Sequence, residues 1–160
     1  MPSQASQIDS FDRRILEIVQ QSNRTTSEQI AESVGLSPAA VQRRLKRMRE
    51  QKIIQADVSV VNPKMVGQNM TFVVQVTLER ERSDLMDAFK KEMKANPYVQ
   101  QCYYVTGSSD FILILTAADM EAYDAFTRQA FFDNTNIRGF QTNVVMDPVK
   151  TGMFVPVNEE

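Results

Sequence analysis

With 160 residues and 42% hydrophobic content, the chain can bury one or two modest cores. Its net charge of −2 is uneven: residues 1–61 hold nine Lys/Arg against seven Asp/Glu, and residues 62–160 hold nine against thirteen. It has no histidine and one cysteine, Cys102, which removes the commonest general base, the commonest metal ligand and any intrachain disulfide. No nucleophile–base pair or phosphate loop replaces them, so neither an enzyme nor a metal site is expected. Cys102 lies in an apolar, strand-like run and reads as buried filler. Met1 to Gln7 are polar and lack the apolar stretch of a signal peptide, and no apolar run nears the ~18 residues of a membrane span. A cytoplasmic protein is expected.

The first helix spans Ile8 to Gln21, with Phe11, Ile15, Ile18 and Val19 at helical spacing and Asp9 and Asp12 in the first turn. Thr26 and Gln29 form a capping box for a short helix through Val34, buried on Ile30, Ala31 and Val34. Gly35 supplies a left-handed stop. Ser37 then caps a third helix, Pro38 occupies its first position, and the helix reaches about Gln51. Val41, Leu45 and Met48 form its apolar stripe; Ala39, Arg43, Lys46 and Arg47 lie opposite, with Gln42 and Arg44 on the flanks. Six of the nine cations in residues 1–61 fall between Arg43 and Lys52. A solvated basic face would explain the third helix alone. The preceding helix and Gly-containing turn instead make the pair a helix-turn-helix. Small residues in the first turn let a helix approach base edges, and later cations meet phosphates. Ser37, Ala39, Ala40, Gln42, Arg43, Arg44, Lys46 and Arg47 are therefore candidate contacts to double-stranded operator DNA. Lys52 to Val61 alternates β-branched residues and reads as a short strand pair or wing. Residues 1–60 are assigned to this domain and 61–69 to a linker.

The second half changes rhythm. Met70 to Leu78 is a strand, and Asp84 to Lys94 a helix on Leu85, Phe89 and Met93. Val99 to Thr106 and Asp110 to Thr116 are strands around a Gly107-Ser108-Ser109 turn. Asp119 caps a helix carrying Met120, Tyr123, Phe126 and Thr127 toward Phe131, and Gly139 to Met146 is a last strand. The expected fold is α+β: an N-terminal helix-turn-helix, winged-helix-like domain and a C-terminal ferredoxin-like βαββαβ domain over residues 70–160. Val73, Val99, Ile112, Ile114 and Val145 exceed what one helix-covered sheet face needs, so a second subunit should cover the other face. A homodimer also suits paired half-sites ~34 Å apart.

The chain resembles the leucine-responsive/asparagine-regulator (Lrp/AsnC) family of prokaryotic transcription factors. The matching residues are Asp9, Asp12, Arg13, Ile15 and Leu16; Gly35-Leu36-Ser37-Pro38; Arg44-Leu45-Lys46-Arg47-Met48; and Ile54. They continue with Val105-Thr106-Gly107, Asp110-Phe111, Asp119-Met120, Tyr123, Thr142, Val144-Val145-Met146 and Val149-Lys150. The resemblance implies dimers that often assemble into octamers, and a C-terminal domain that binds an amino-acid effector where dimers meet. The effector residues it implies are Val105, Thr106, Gly107, Ser108, Ser109, Asp110 and Met120. Chemically, Gly107 permits close backbone approach, the serines offer donors to a carboxylate, and Asp110 can pair with an ammonium. The family usually has Gly where Lys52 stands; a left-handed Lys costs about 1 kcal/mol, so a different helix ending is expected. Ala56 also replaces a common Gly, and Phe111 a usual Tyr. Ser108 removes one loop carboxylate, leaving the effector's identity open. The function implied is an oligomeric, nucleoid-associated, sequence-specific transcriptional regulator with no cofactor beyond that effector. An architectural DNA-binding protein with little sequence preference is the alternative.

Overall fold

Three helices open the computed structural model of the chain, which describes residues 8–157: α1 (Ser10–Gln21), α2 (Ser27–Val34) and α3 (Pro38–Glu50). Each begins on a side-chain cap. At α1 the Asp12 N–H donates to Asp9 Oδ1 (2.8 Å) and the Asp9 N–H to Asp12 Oδ2 (3.1 Å). At α2 Thr26 and Gln29 exchange the same pair of bonds, and at α3 the Ala40 N–H donates to Ser37 Oγ (3.2 Å). Gly35 stops α2 in the left-handed region (φ 79°), and the Arg14 guanidinium donates to the Ser33 carbonyl at 2.6 Å. Ile15, Ile30, Val41 and Met48 are fully buried between the three helices.

The end of α3 differs from expectation. Lys52 adopts the left-handed conformation (φ 59°) in the manner of a glycine, and the Ile53 and Ile54 N–H groups both return to the Met48 carbonyl. Those bonds, with Ile53 and Ile54 packed on the helical core, hold Lys52 in place. Lys52→Gly should therefore stabilise the helical unit by about 0.5–1 kcal/mol, the relieved strain being partly offset by glycine's unfolded-state freedom. A higher denaturation midpoint at unchanged m-value is the expected readout.

The expected wing is absent: Lys52 to Val61 carries no strand. Val58, Val60 and Val61 are exposed, and no neighbouring strand of the described chain offers a ladder, without which β-branched alternation does not make a sheet. Asp57 instead accepts Arg49 Nε (2.7 Å) and Nη2 (3.1 Å), and that guanidinium holds its carboxyl below the ordinary range. Within the expected linker, Pro63–Val66 forms one 3₁₀ turn capped by Asn62 and ended by a left-handed Gly67.

The chain divides into two units, one reaching to Ser59 and rejoined from Lys150, the other Val60–Val149. The expected 70–160 domain thus loses its last segment to the helical unit, because Val157 finds apolar partners there. The second unit is β1 (Met70–Leu78), α4 (Ser83–Ala95), β2 (Val99–Tyr104), β3 (Phe111–Ala117), α5 (Met120–Thr127) and β4 (Ile137–Val144). The antiparallel sheet has the order β2-β3-β1-β4, the ferredoxin-like arrangement. A single π turn, Arg128–Phe132, carries α5 onward past Thr127.

One sheet face is the core. Phe72, Val74 and Val76 of β1 and Phe111, Leu113 and Leu115 of β3 are fully buried with Phe89, Met93 and Phe131. The Tyr123 ring stacks on Phe72 (centroids 3.9 Å apart), and its hydroxyl hydrogen-bonds Thr142 on β4. Register places Val99 opposite Leu115, so Val99 packs on this covered face and not on the far one as expected. Cys102, opposite Leu113, is only half-buried because β2 is an edge strand; burial pushes its thiol up. The far face carries Val73, Ile112, Ile114 and Val145, interspersed with Gln75, Thr77, Gln101 and Gln141. It is less apolar than the sequence suggested.

Candidate nucleic-acid interface and effector loop

The exposed side of α3 sorts its eight candidate residues into two groups. Ser37, Ala39, Gln42, Arg43 and Lys46 are exposed and Ala40 partly so. Arg43 and Gln42 have no side-chain partner among the described residues, and Lys46 meets only Glu50, at 3.9 Å. Arg44 and Arg47 are held back. Arg44 Nη1 donates to Asp9 Oδ2 (2.7 Å) and Asp12 Oδ1 (2.9 Å), with its guanidinium 5.5 Å from the Phe11 ring centre. Arg47 Nη2 donates to Asp12 Oδ2, and its Nε is buried without a partner. The Asp12 side chain is 1% exposed, against 24% for Arg44 and 40% for Arg47.

Asp12 is therefore a buried carboxylate shared by two arginines and one helix cap. A buried charge demands such company, since an unpaired one would be expelled. The sequence marks Asp9 and Asp12 as acids in a favourable first turn and as part of the family resemblance, without naming their partners. The fold makes them the grip between α1 and α3, a role whose one sequence sign is their three-residue spacing. At Asp9, burial alone would raise the carboxyl, but the Asp12 N–H and the Arg44 guanidinium outweigh it and hold it below 3.8. The Asp9–Arg44 pair thus adds stability above that pH, and the contribution fades as pH falls through the lowered folded value. Arg43, Arg44 and Arg47 share an open cleft of about 270 Å³ with Leu36 and Ala40. Its outer rim is the part free to meet a polyanion.

The effector residues implied by the resemblance lie at two places. Val105 to Asp110 connect β2 to β3, closed by the Val105 N–H donating to the Asp110 carbonyl (2.9 Å). Gly107 has φ 132°, Thr106 and Ser108 are exposed, and Ser109 is buried. Met120, half-exposed, opens α5 beyond the opposite end of β3. The six residue steps along β3 put these places about 20 Å apart within one copy.

Asp110 is also partly engaged. Its Oδ2 accepts the Leu78 N–H at 2.6 Å and its own N–H donates to the Val76 carbonyl, pinning the loop to β1. Asp110→Ala should orphan the part-buried Leu78 N–H and destabilise the sheet unit by about 1–3 kcal/mol. Asp110→Asn keeps an acceptor there and should cost under about 1 kcal/mol, which makes it the cleaner probe of charge. Thermal melts of the two variants check this ordering.

Residues 8–49 match the AsnC-type helix-turn-helix domain, and residues 71–154 match the Lrp/AsnC ligand binding domain. The chain is 53% identical over 153 residues to an uncharacterized HTH-type transcriptional regulator, y4tD, of Sinorhizobium fredii, across 96% of this chain and 90% of that one. It is 31% identical to the transcriptional regulator AzlB of Bacillus subtilis, across 95% and 97% of the two chains. Among solved structures, the transcriptional regulator NMB0573/L-Met complex of Neisseria meningitidis superposes with a TM-score of 0.88 at 26% identity, covering 94% of this chain and 97% of that one. With a capped helix-turn-helix ahead of a β2-β3-β1-β4 sheet unit, and with both domains matched in order, the chain belongs to the Lrp/AsnC family of transcriptional regulators.

Proposed function

We propose that the protein is an oligomeric, sequence-specific DNA-binding regulator of the cytoplasm whose DNA binding or assembly responds to an amino acid. The observation that carries the first part is the free face of α3: small Ala39 and Ala40 in its first turn, then unpartnered Gln42 and Arg43, then Lys46. Ser37, Ala39, Ala40, Gln42 and Arg43 approach base edges, and Lys46 meets phosphate. Arg44 and Arg47, tied to Asp9 and Asp12, orient the helix and present only their outer edges to the backbone. The mixed far sheet face, with Val73, Ile112, Ile114 and Val145, supports pairing with a second copy. An effector site that used both the 105–110 loop and Met120 would draw them from different copies.

The Neisseria meningitidis neighbour was solved as an L-Met complex, and the loop chemistry here suits the carboxylate and ammonium of an amino acid. With Asp110 already accepting one backbone N–H, its Oδ1 remains the ammonium partner. The test is selection of binding sites from a random duplex pool, followed by mobility shifts with and without each of the common amino acids. Enrichment of a two-fold sequence is expected. A steep salt slope with little preference among sequences would favour the architectural alternative.

A further inference from the structure

We propose that Lys150–Val157 is a strap by which strand β4 keeps a second hold on α1, with the Gln20 side chain as its clasp. The Gln20 carboxamide donates from Nε2 to the Val155 carbonyl (2.9 Å) and accepts the Val155 N–H at Oε1 (2.8 Å). A carboxamide carries donor and acceptor side by side, so it can take both backbone groups of one residue as a neighbouring strand would. Pro156 favours this by biasing Val155 toward extended backbone. Two residues on, Val157 packs against the helical core. The rest of the strap adds little burial: Met153 is 77% exposed and Val155 64%. Exposed hydrogen bonds with so little apolar burial make a hold that closes and opens readily.

Chain connectivity gives the strap its consequence. The chain leaves the helical unit after Ser59 and returns to it at Lys150, so the two units are joined twice. A single flexible linker leaves a reading head free to wander over a distance that grows with the square root of its length; a second attachment narrows that range. The attachment falls on the helix that also grips α3. The first turn of α1 holds Arg44 and Arg47 through Asp9 and Asp12, and its last turn holds Val155 through Gln20. A pull on the strap therefore has a continuous route through α1 to α3. The value of that route for DNA binding rests on the reading of α3 proposed above; the strap itself does not.

Hydrogen exchange on the full-length protein without DNA tests it. In the wild type the Val155 amide should exchange at least about tenfold more slowly than that of Thr151, although both are exposed. Gln20→Ala should abolish the difference and raise exchange several-fold in the last turn of α1 and in α3, with β1 and β3 unchanged. Val155→Pro, which deletes the donor from the strap without touching α1, leaves no amide to read at 155 but should raise exchange in the last turn of α1 and in α3 to the same degree. An unprotected Val155 in the wild type would overturn the strap, as would protection that vanishes on dilution to monomer, which places the clasp between copies. Loss of Val155 protection with α1 and α3 unaltered would overturn the coupling. Failure of the protein to bind any duplex would count against the function proposed above and leave these exchange results standing.

Discussion

Asp12→Ala is expected to lower the melting temperature of the helical unit by about 12–24 °C while leaving the sheet unit near its wild-type value. The Asp12 side chain is 1% exposed and serves three donors: the Asp9 N–H, Arg44 and Arg47. Removing one member of a buried ion pair costs about 3–5 kcal/mol, because the remaining charges keep their desolvation and lose their partner. Arg44 and Arg47 are partly open to water and can rehydrate, so the lower figure, about 3 kcal/mol, applies. Loss of the reciprocal cap on α1 is included in it. For a unit of 60–100 residues each kcal/mol shifts the midpoint by about 4–8 °C. Scanning calorimetry reads the shift directly. Asp12→Asn, which retains an acceptor for the cap, should fall between the wild type and the alanine variant. A melt unchanged in Asp12→Ala would mean that the three-way contact does not hold α1 to α3.

Arg43→Ala has the opposite profile. Arg43 is exposed and has no ion pair among the described residues, so stability should stay within about 0.5 kcal/mol of wild type. If it reaches a base edge in the major groove, affinity for a selected site should fall by about 1–3 kcal/mol, roughly 5- to 150-fold, with relaxed preference at that position. Lys46→Ala should weaken binding evenly across sequences and reduce the salt slope by about 1. Mobility shifts on the selected site, its point variants and a salt series separate the two roles. Equal, sequence-independent losses for both variants would reassign Arg43 to the backbone. Arg47→Ala makes an informative third point: its ion pair with Asp12 predicts a stability loss that Arg43→Ala does not show.

How much of this was legible beforehand depends on the range of each interaction. The caps at Thr26 and Ser37, the left-handed Gly35 and the buried Val41-Leu45-Met48 stripe all follow from neighbours within about one helical turn, and each is legible in the chain. The four strands and their alternation were equally local. Misreadings arose where distant segments compete. Val99 belongs to the covered sheet face because pairing with Leu115 sets its side, a matter of register that its own neighbours leave open. Lys52 holds a left-handed conformation because Ile53 and Ile54 pack on the core built by all three helices, a tertiary demand stronger than its own preference.

Local residue order thus determined the helices, the strands, the helix-turn-helix and the basic character of α3, since propensity, capping and hydrophobic period act over a few residues. Only the tertiary structure decided which of α3's cations remain free. Asp12 lies more than thirty positions from Arg44 and Arg47, and no local pattern assigns a carboxylate to a guanidinium at that distance. The same holds for Asp110, whose carboxylate is committed to Leu78, and for Val155, whose partner Gln20 lies 135 positions away. Such contacts exist only once burial has brought separate segments together, because it is the loss of water around a polar group that forces it to find a partner.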